Sequence, residues 1–295
     1  MKKQASPRID IDHLQRWVGR EQVVSDDLSP FKARALCAAL TRENTQPVLP
    51  ESGSQLPPAW QWLYFVDTPS AALTGRDGHP KTGDFLPPVP LPRRMWAAGK
   101  FKVIKPLTLS VSAEKHSVVS RVELKNGSTG SLVFVTLKHS FFQHTQLCVE
   151  EQQNIVYREM PSEASPLPQG ELASPDVDWT CEINPDPVLL FRFSALTYNG
   201  HRIHYDRQYA VDEEFYPGLV VHGPLQAALL ANSVAAYCPN ARIDEFSFRA
   251  KRPLFDSQHF HVCGKREGNH IKLWTRSHEG FVGMTASATL STQVE

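Results

Sequence analysis

The 295-residue sequence predicts an α+β protein in which one supersecondary unit is used twice in tandem. Three observations carry this. Short blocks of the first half recur in the same order in the second. Alternating segments joined by Gly-containing turns follow each block. A Pro-, Ser-, Glu- and Gly-rich stretch separates the two series.

The elements follow in chain order. Phe31-Lys32-Ala33-Arg34-Ala35-Leu36 reads as a helix start and is echoed by Phe191-Arg192-Phe193-Ser194-Ala195-Leu196. Trp60, Trp62, Tyr64 and Phe65 form an aromatic cluster with no interleaved basic residue, so packing against a sheet fits better than a stacking platform for bases. Phe101-Lys102-Val103-Ile104-Lys105-Pro106-Leu107 is echoed by Phe248-Arg249-Ala250-Lys251-Arg252-Pro253-Leu254. An alternating strand then runs from Ser117 to Leu124 into the turn Asn126-Gly127, and in the second half from His259 to Gly264 into Glu267-Gly268-Asn269. Final strands are expected at Leu132 to Leu137 and Val282 to Leu290, with Glu150-Glu151 at a solvated strand end. Pro161, Pro166, Pro168 and Pro175 break any regular element between Met160 and Val177, which reads as a linker. The division is therefore residues 1–160, a linker at 161–177, and residues 178–295.

Composition narrows the class. A chain that is 41% hydrophobic and 21% charged can bury a core, which argues against disorder and fibrous classes. Formal net charge is zero, so no overall field favours nucleic acid or an anionic membrane. Cys37, Cys148, Cys181, Cys238 and Cys263 are scattered, odd in number and without a CxxC pair, as in a reducing cytoplasm. The start carries lysines but no apolar core of a secretory signal. Leu219 to Tyr237 is interrupted by His222, Gln226, Asn232 and Ser233, and so reads as a buried helix rather than a membrane span.

Chemistry concentrates in Phe193-Ser-Ala-Leu-Thr-Tyr-Asn-Gly-His-Arg-Ile-His-Tyr-Asp206 and Tyr216-Pro-Gly-Leu-Val-Val-His-Gly-Pro-Leu225. An amide and several imidazoles precede a Gly-Pro junction that opens an apolar helix. Polar side chains and free helix N–H groups can then converge on one pocket, an arrangement suited to adding water to an activated carbonyl compound. His204 is the candidate acid–base group, because imidazole titrates near neutrality. Asn199 does not titrate but can hold a water. The Gly223 N–H, just before Pro224 in the first helical turn, is a candidate oxyanion donor.

These segments resemble the hydratase signature of MaoC-type enzymes, Gly-Asp-x-Asn-Pro-x-His, with Asn199 at the Asp position and His204 at the His. Tyr198, His201 and Arg202 depart from its Gly, Asn and Pro. The subgroup resembled is that of the mitochondrial-type 3-hydroxyacyl-thioester dehydratases and the bacterial itaconyl-CoA and mesaconyl-C4-CoA hydratases, which carry Asn in place of Asp. LPPAWQWLYF, FLPPVPLPRRMWAAGKF and EEQQNIVYRE extend the resemblance over the first half. It implies two tandem hot-dog domains, each a helix wrapped by a curved sheet, with a pocket between them. The first would be a degenerate wall and lid, since the offset of the first echo places Asn199 and His204 on Ala39 and Asn44.

The resemblance further implies an acyl-CoA thioester substrate, most specifically a C4-dicarboxylyl-CoA such as itaconyl-CoA or mesaconyl-C4-CoA that is hydrated; the alternatives are dehydration of 3-hydroxyacyl thioesters in fatty-acid synthesis and a non-catalytic acyl-CoA-binding hot-dog module. A homodimer is compatible with it. Arg93 and Arg94 suit a phosphate or carboxylate, and solvated surface charge is the competing reading. Arg202 either orients substrate or pairs with Asp206, and His222 reads as a cap or wall residue of the binding site. No metal is expected, because the His201/His204 spacing lacks the further ligand of a zinc helix. No cofactor is expected either, since the glycines near 75 to 83 do not link a strand to a helix.

Overall fold

The computed structural model describes residues 8–41, 46–127, 130–161 and 163–292. Among them, ten strands form one antiparallel sheet: β1 (Glu21–Asp26), β2 (Arg93–Val103), β3 (Ala113–Gly127), β4 (Gly130–Gln143), β5 (Gln146–Arg158), β6 (Trp179–Ile183), β7 (Ala241–Ala250), β8 (Phe260–Glu267), β9 (His270–Ser277) and β10 (Val282–Thr292). Their order across the sheet is β1-β3-β4-β5-β2-β7-β10-β9-β8-β6. The helices are α1 (Ile11–Gln15), α2 (Pro30–Leu40), α3 (Pro187–Thr197), α4 (Arg207–Asp212) and α5 (Gly223–Tyr237).

The two halves meet where β2 pairs with β7. Lys100 stands opposite Ser247, and these residues precede the echoed Phe101 and Phe248, so a pseudo-two-fold axis passes between them. Aromatic rings cement the seam. Phe101 stacks on Phe246 at 5.3 Å and Trp96 on Phe248 at 4.2 Å, with Trp62 edge-on to Trp96 at 5.0 Å. The Trp60–Phe65 cluster is therefore core packing, as its sequence suggests, and one hydrophobic core runs across both halves.

The echoed helix starts also correspond. Both α2 and α3 have eleven residues, a Pro in the first turn and a capping side chain, from Ser29 and Asp186 respectively. In the second half the chain goes on to α5, whose nine buried residues include Leu225, Leu229 and Leu230. It packs on β7 to β10.

The first half departs from the expected helix-plus-meander plan. Between α2 and β2 the described residues hold only short 3-10 turns at Trp60–Leu63 and Ala71–Leu73. Pro57-Pro58, Pro69, Pro80 and Pro87-Pro88 lack amide donors and interrupt any helix, so among its described residues this half has no counterpart of α5. The irregular chain and the second-half helices together border a cavity of about 1480 Å³. Asn44, the expected equivalent of His204, lies outside the described residues. The largely exposed segment 163–177 is pinned to the second half around residues 171–173. Leu172 bridges to Phe281, and Ala173 N donates to Gly280 O at 2.9 Å.

Candidate active site

The end of α3 sets the first functional side chain. Tyr198 takes the left-handed conformation (φ 52) and Asn199 N donates back to Ser194 O at 2.9 Å, closing the helix and turning Asn199 toward the cavity. The Asn199 side-chain oxygen accepts from His201 N at 3.0 Å. Its amide NH₂ is thus the group free to face a ligand.

A 3-10 turn, Arg202–His204, then presents His204. Its Nδ1 donates to the Val220 carbonyl at 2.7 Å, and because a carbonyl only accepts, the neutral ring must carry its proton there. Nε2 is left with a lone pair. Burial, with His222 and His201 adding to it, holds His204 well below the usual imidazole range, so it is a neutral base at pH 7. Gly223 opens α5 directly beside this ring. A Cβ there would meet Trp96 at 3.1 Å, so the glycine lets the indole sit against the helix start. First-turn amides such as its N–H have no partner within the helix and point outward. Asn199, His204 and Gly223 all border the cavity. They can hold a water, move a proton, and stabilise negative charge on an oxygen.

The arginines divide. Arg94 lines the cavity, opposite Tyr157 on β5, and makes no ion pair with a carboxylate among the described residues. Burial pushes the Tyr157 hydroxyl up, with Arg94 opposing. Arg93 also borders the cavity but is committed: it donates to Glu214 Oε2 at 3.0 Å and to the Tyr216 hydroxyl, all largely buried. A charge already neutralised in this way holds the wall together rather than a ligand.

Two expectations of substrate contact are corrected. Arg202 chelates Asp206 at 2.7 and 2.9 Å and lies over the Tyr209 ring, and its side chain does not border the cavity. His222 is fully buried behind His204, its ring stacked on that imidazole at 3.7 Å and its Nε2 paired with Ser194 Oγ at 2.8 Å. It backs the His204 ring and does not border the cavity. Burial and His201 lower it to about 3.

Three further acidic or basic groups lie buried or half-buried at or near the site, beyond the residues that the sequence assigns to it. Glu151, expected at a solvated strand end, is buried and accepts from Trp62, Gln61 and Gln153; burial pushes its pKa up. Glu214 joins Arg93 to His201. His79, on the irregular first-half chain, borders the cavity with its Nδ1 on Asp77 at 2.7 Å. The sequence signal for it is an Asp and a His two residues apart within the turn Gly75-Arg76-Asp77-Gly78-His79.

Comparison with known proteins agrees with this geometry. Residues 59–256 match the family model described as hydroxyacyl-thioester dehydratase type 2. A mesaconyl-C(4)-CoA hydratase of Chloroflexus aurantiacus is 43% identical over 275 residues, covering 93% of this chain and 96% of the relative. In fold, a MaoC-like dehydratase from Phytophthora capsici superposes with a TM-score of 0.67 at 11% identity, covering 97% of this chain and all of that one. A Mycobacterium tuberculosis protein with a double hot-dog fold superposes with a TM-score of 0.56 at 9% identity, covering 93% and 96%. Fold, cavity and matched span agree, and the chain belongs to the hydroxyacyl-thioester dehydratase type 2 family, with a double hot-dog architecture.

Proposed function

We propose that the protein is a hydro-lyase that adds water to the double bond of a short C4-dicarboxylyl-CoA, with mesaconyl-C4-CoA or itaconyl-CoA as substrate. The thioester oxygen lies on the Gly223 N–H, where negative charge develops as the double bond is attacked. Asn199 donates to the water and His204 Nε2 takes a proton from it. On mesaconyl-C4-CoA, whose double bond is conjugated to the thioester, the oxygen bonds to the β-carbon, the enolate forms at the thioester, and His204 returns its proton to the α-carbon. No net proton is gained or lost. A neutral, buried His204 suits the first step, and a backbone carbonyl rather than a carboxylate on its Nδ1 favours giving the proton back.

The single observation that carries the reading is the convergence of Asn199, His204 and Gly223 on one cavity in a chain 43% identical to a mesaconyl-C(4)-CoA hydratase. Arg94 supports the dicarboxylyl choice: a free carboxylate leaving water needs a charge partner, and Arg94 lines the cavity with no carboxylate paired to it among the described residues. The first half serves as wall and lid, so that a single chain supplies both sides of the pocket. The family's description favours the second reading, dehydration of 3-hydroxyacyl thioesters. Following enoyl-thioester absorbance across a panel of CoA esters decides between them. The first reading expects the highest kcat/KM with the dicarboxylyl esters. Preference for uncharged medium-chain esters would move the assignment to the dehydratase.

A further inference from the structure

The hydration reading leaves one hydrogen bond unaccounted for. The attacking water has two lone pairs and two O–H groups. One lone pair attacks carbon and the other accepts from the Asn199 amide; one O–H goes to His204 Nε2. The second O–H needs an acceptor. On Asn199 the side-chain oxygen is turned to His201 N, and the face offered to the water is the donating NH₂. His222 is behind His204, and Glu214 is held between Arg93 and His201.

His79 fits. Its Nδ1 lies 2.7 Å from Asp77 Oδ2, a bond that places the proton on Nδ1 and leaves Nε2 as an acceptor. Its ring packs, tilted, against His201 at 4.1 Å, and His201 in turn is edge-on to His204 at 5.5 Å, so the three imidazoles form a file at the cavity wall. Burial and Arg94 lower His79 to about 3 against the pull of Asp77, which keeps it neutral and accepting. The loop that carries it is bolted to the catalytic segment. Arg202 N donates to Asp77 O at 2.9 Å, and Gly78 (φ +90) lies so close to Gly200 O that a Cβ would come within 1.7 Å.

We propose that His79, oriented by Asp77, is a catalytic residue of this site: it accepts the hydrogen bond from the water proton that stays on oxygen and becomes the product hydroxyl. The first half then supplies part of the chemistry, standing in for the acceptor lost at Asn199. No proton is transferred to His79 and no co-reactant is needed. The proposal rests on the hydration reading above.

The test is steady-state kinetics of the full chain on the enoyl-CoA ester that the wild type hydrates fastest. His79→Ala should lower kcat by about 10- to 100-fold, the loss expected from one hydrogen bond to a reacting group, with KM changed by less than about threefold. His79→Gln, which keeps an acceptor, should recover part of that loss, and Asp77→Asn should lower kcat by less than His79→Ala. Arg76→Ala serves as the loop control, because its guanidinium lies on Glu213; it should leave kcat unchanged. A folded His79→Ala enzyme with wild-type kcat overturns the proposal while leaving hydration intact. So does an equal loss in Arg76→Ala. If His79→Ala fails to fold, His79→Gln decides: a kcat no better than a buried apolar replacement, His79→Leu, overturns the acceptor role. A wild type that hydrates no enoyl-CoA ester removes the hydration reading and this proposal with it.

Discussion

The two halves share a strand plan but differ in what fills the sheet. In the second, α5 runs through the concave face with Leu225, Leu229 and Leu230 buried against the strands. In the first, a proline-broken chain and the rings of Trp60, Trp62 and Phe65 occupy that role, and a cavity of about 1480 Å³ lies beside them. The difference teaches that dropping one helix opens room for a bulky thioester. The helix that is kept supplies the free N–H group at Gly223 and the backing of His204 by His222.

The largest effect expected concerns the second half. His204→Ala should lower kcat by about two to four orders of magnitude, the range for an acid–base group. Asn199→Ala should also be severe. Asn199→Asp should retain partial activity, because a carboxylate still holds the water. Near-normal turnover of a folded His204→Ala enzyme would break the assignment of chemistry to this half.

A smaller effect concerns stability in both halves. His139, paired with Ser117, and His222 are buried and neutral, each lowered to about 3, first by burial and then by Lys115 or His201 respectively. The unfolded chain binds protons on these rings near pH 6.5. Stability from each is therefore fully present above about pH 7 and declines as pH falls, by about 1.4 kcal/mol per pH unit per group, until the folded value is reached. Melting temperature measured from pH 7.5 to 5 should fall, and less steeply in His139→Gln or His222→Gln. A slope unchanged by either substitution would count against their being neutral in the fold.

Much of this was legible in the sequence, for identifiable reasons. Phe101 and Phe248 flag the seam because both strands lie at the same place about the pseudo-two-fold axis. Asn199, His204 and Gly223 stand in one local run, so their convergence needs only a helix end, a turn and a helix start. Long-range pairings were not legible. Whether Arg93 or Arg94 is free depends on Glu214, 121 residues away, and the burial of Glu151 depends on Trp62 and Gln61. His222 reads as a wall residue from its neighbours in sequence, yet it sits behind His204 because the ring faces Ser194. The missing central helix could have been expected from the prolines between 57 and 88, which the echo of the flanking blocks obscured.

The most direct test of the division between halves crosses one variant from each with two substrates. His204→Ala and Arg94→Met are compared with wild type by kcat/KM on mesaconyl-C4-CoA and on crotonyl-CoA, which lacks the free carboxylate. His204→Ala should lose activity equally on both esters, because it removes the proton carrier. Arg94→Met should lose activity on the dicarboxylyl ester and leave crotonyl-CoA turnover almost unchanged, because it removes only the charge partner. Equal losses on the two esters for Arg94→Met, or none on either, would contradict the account.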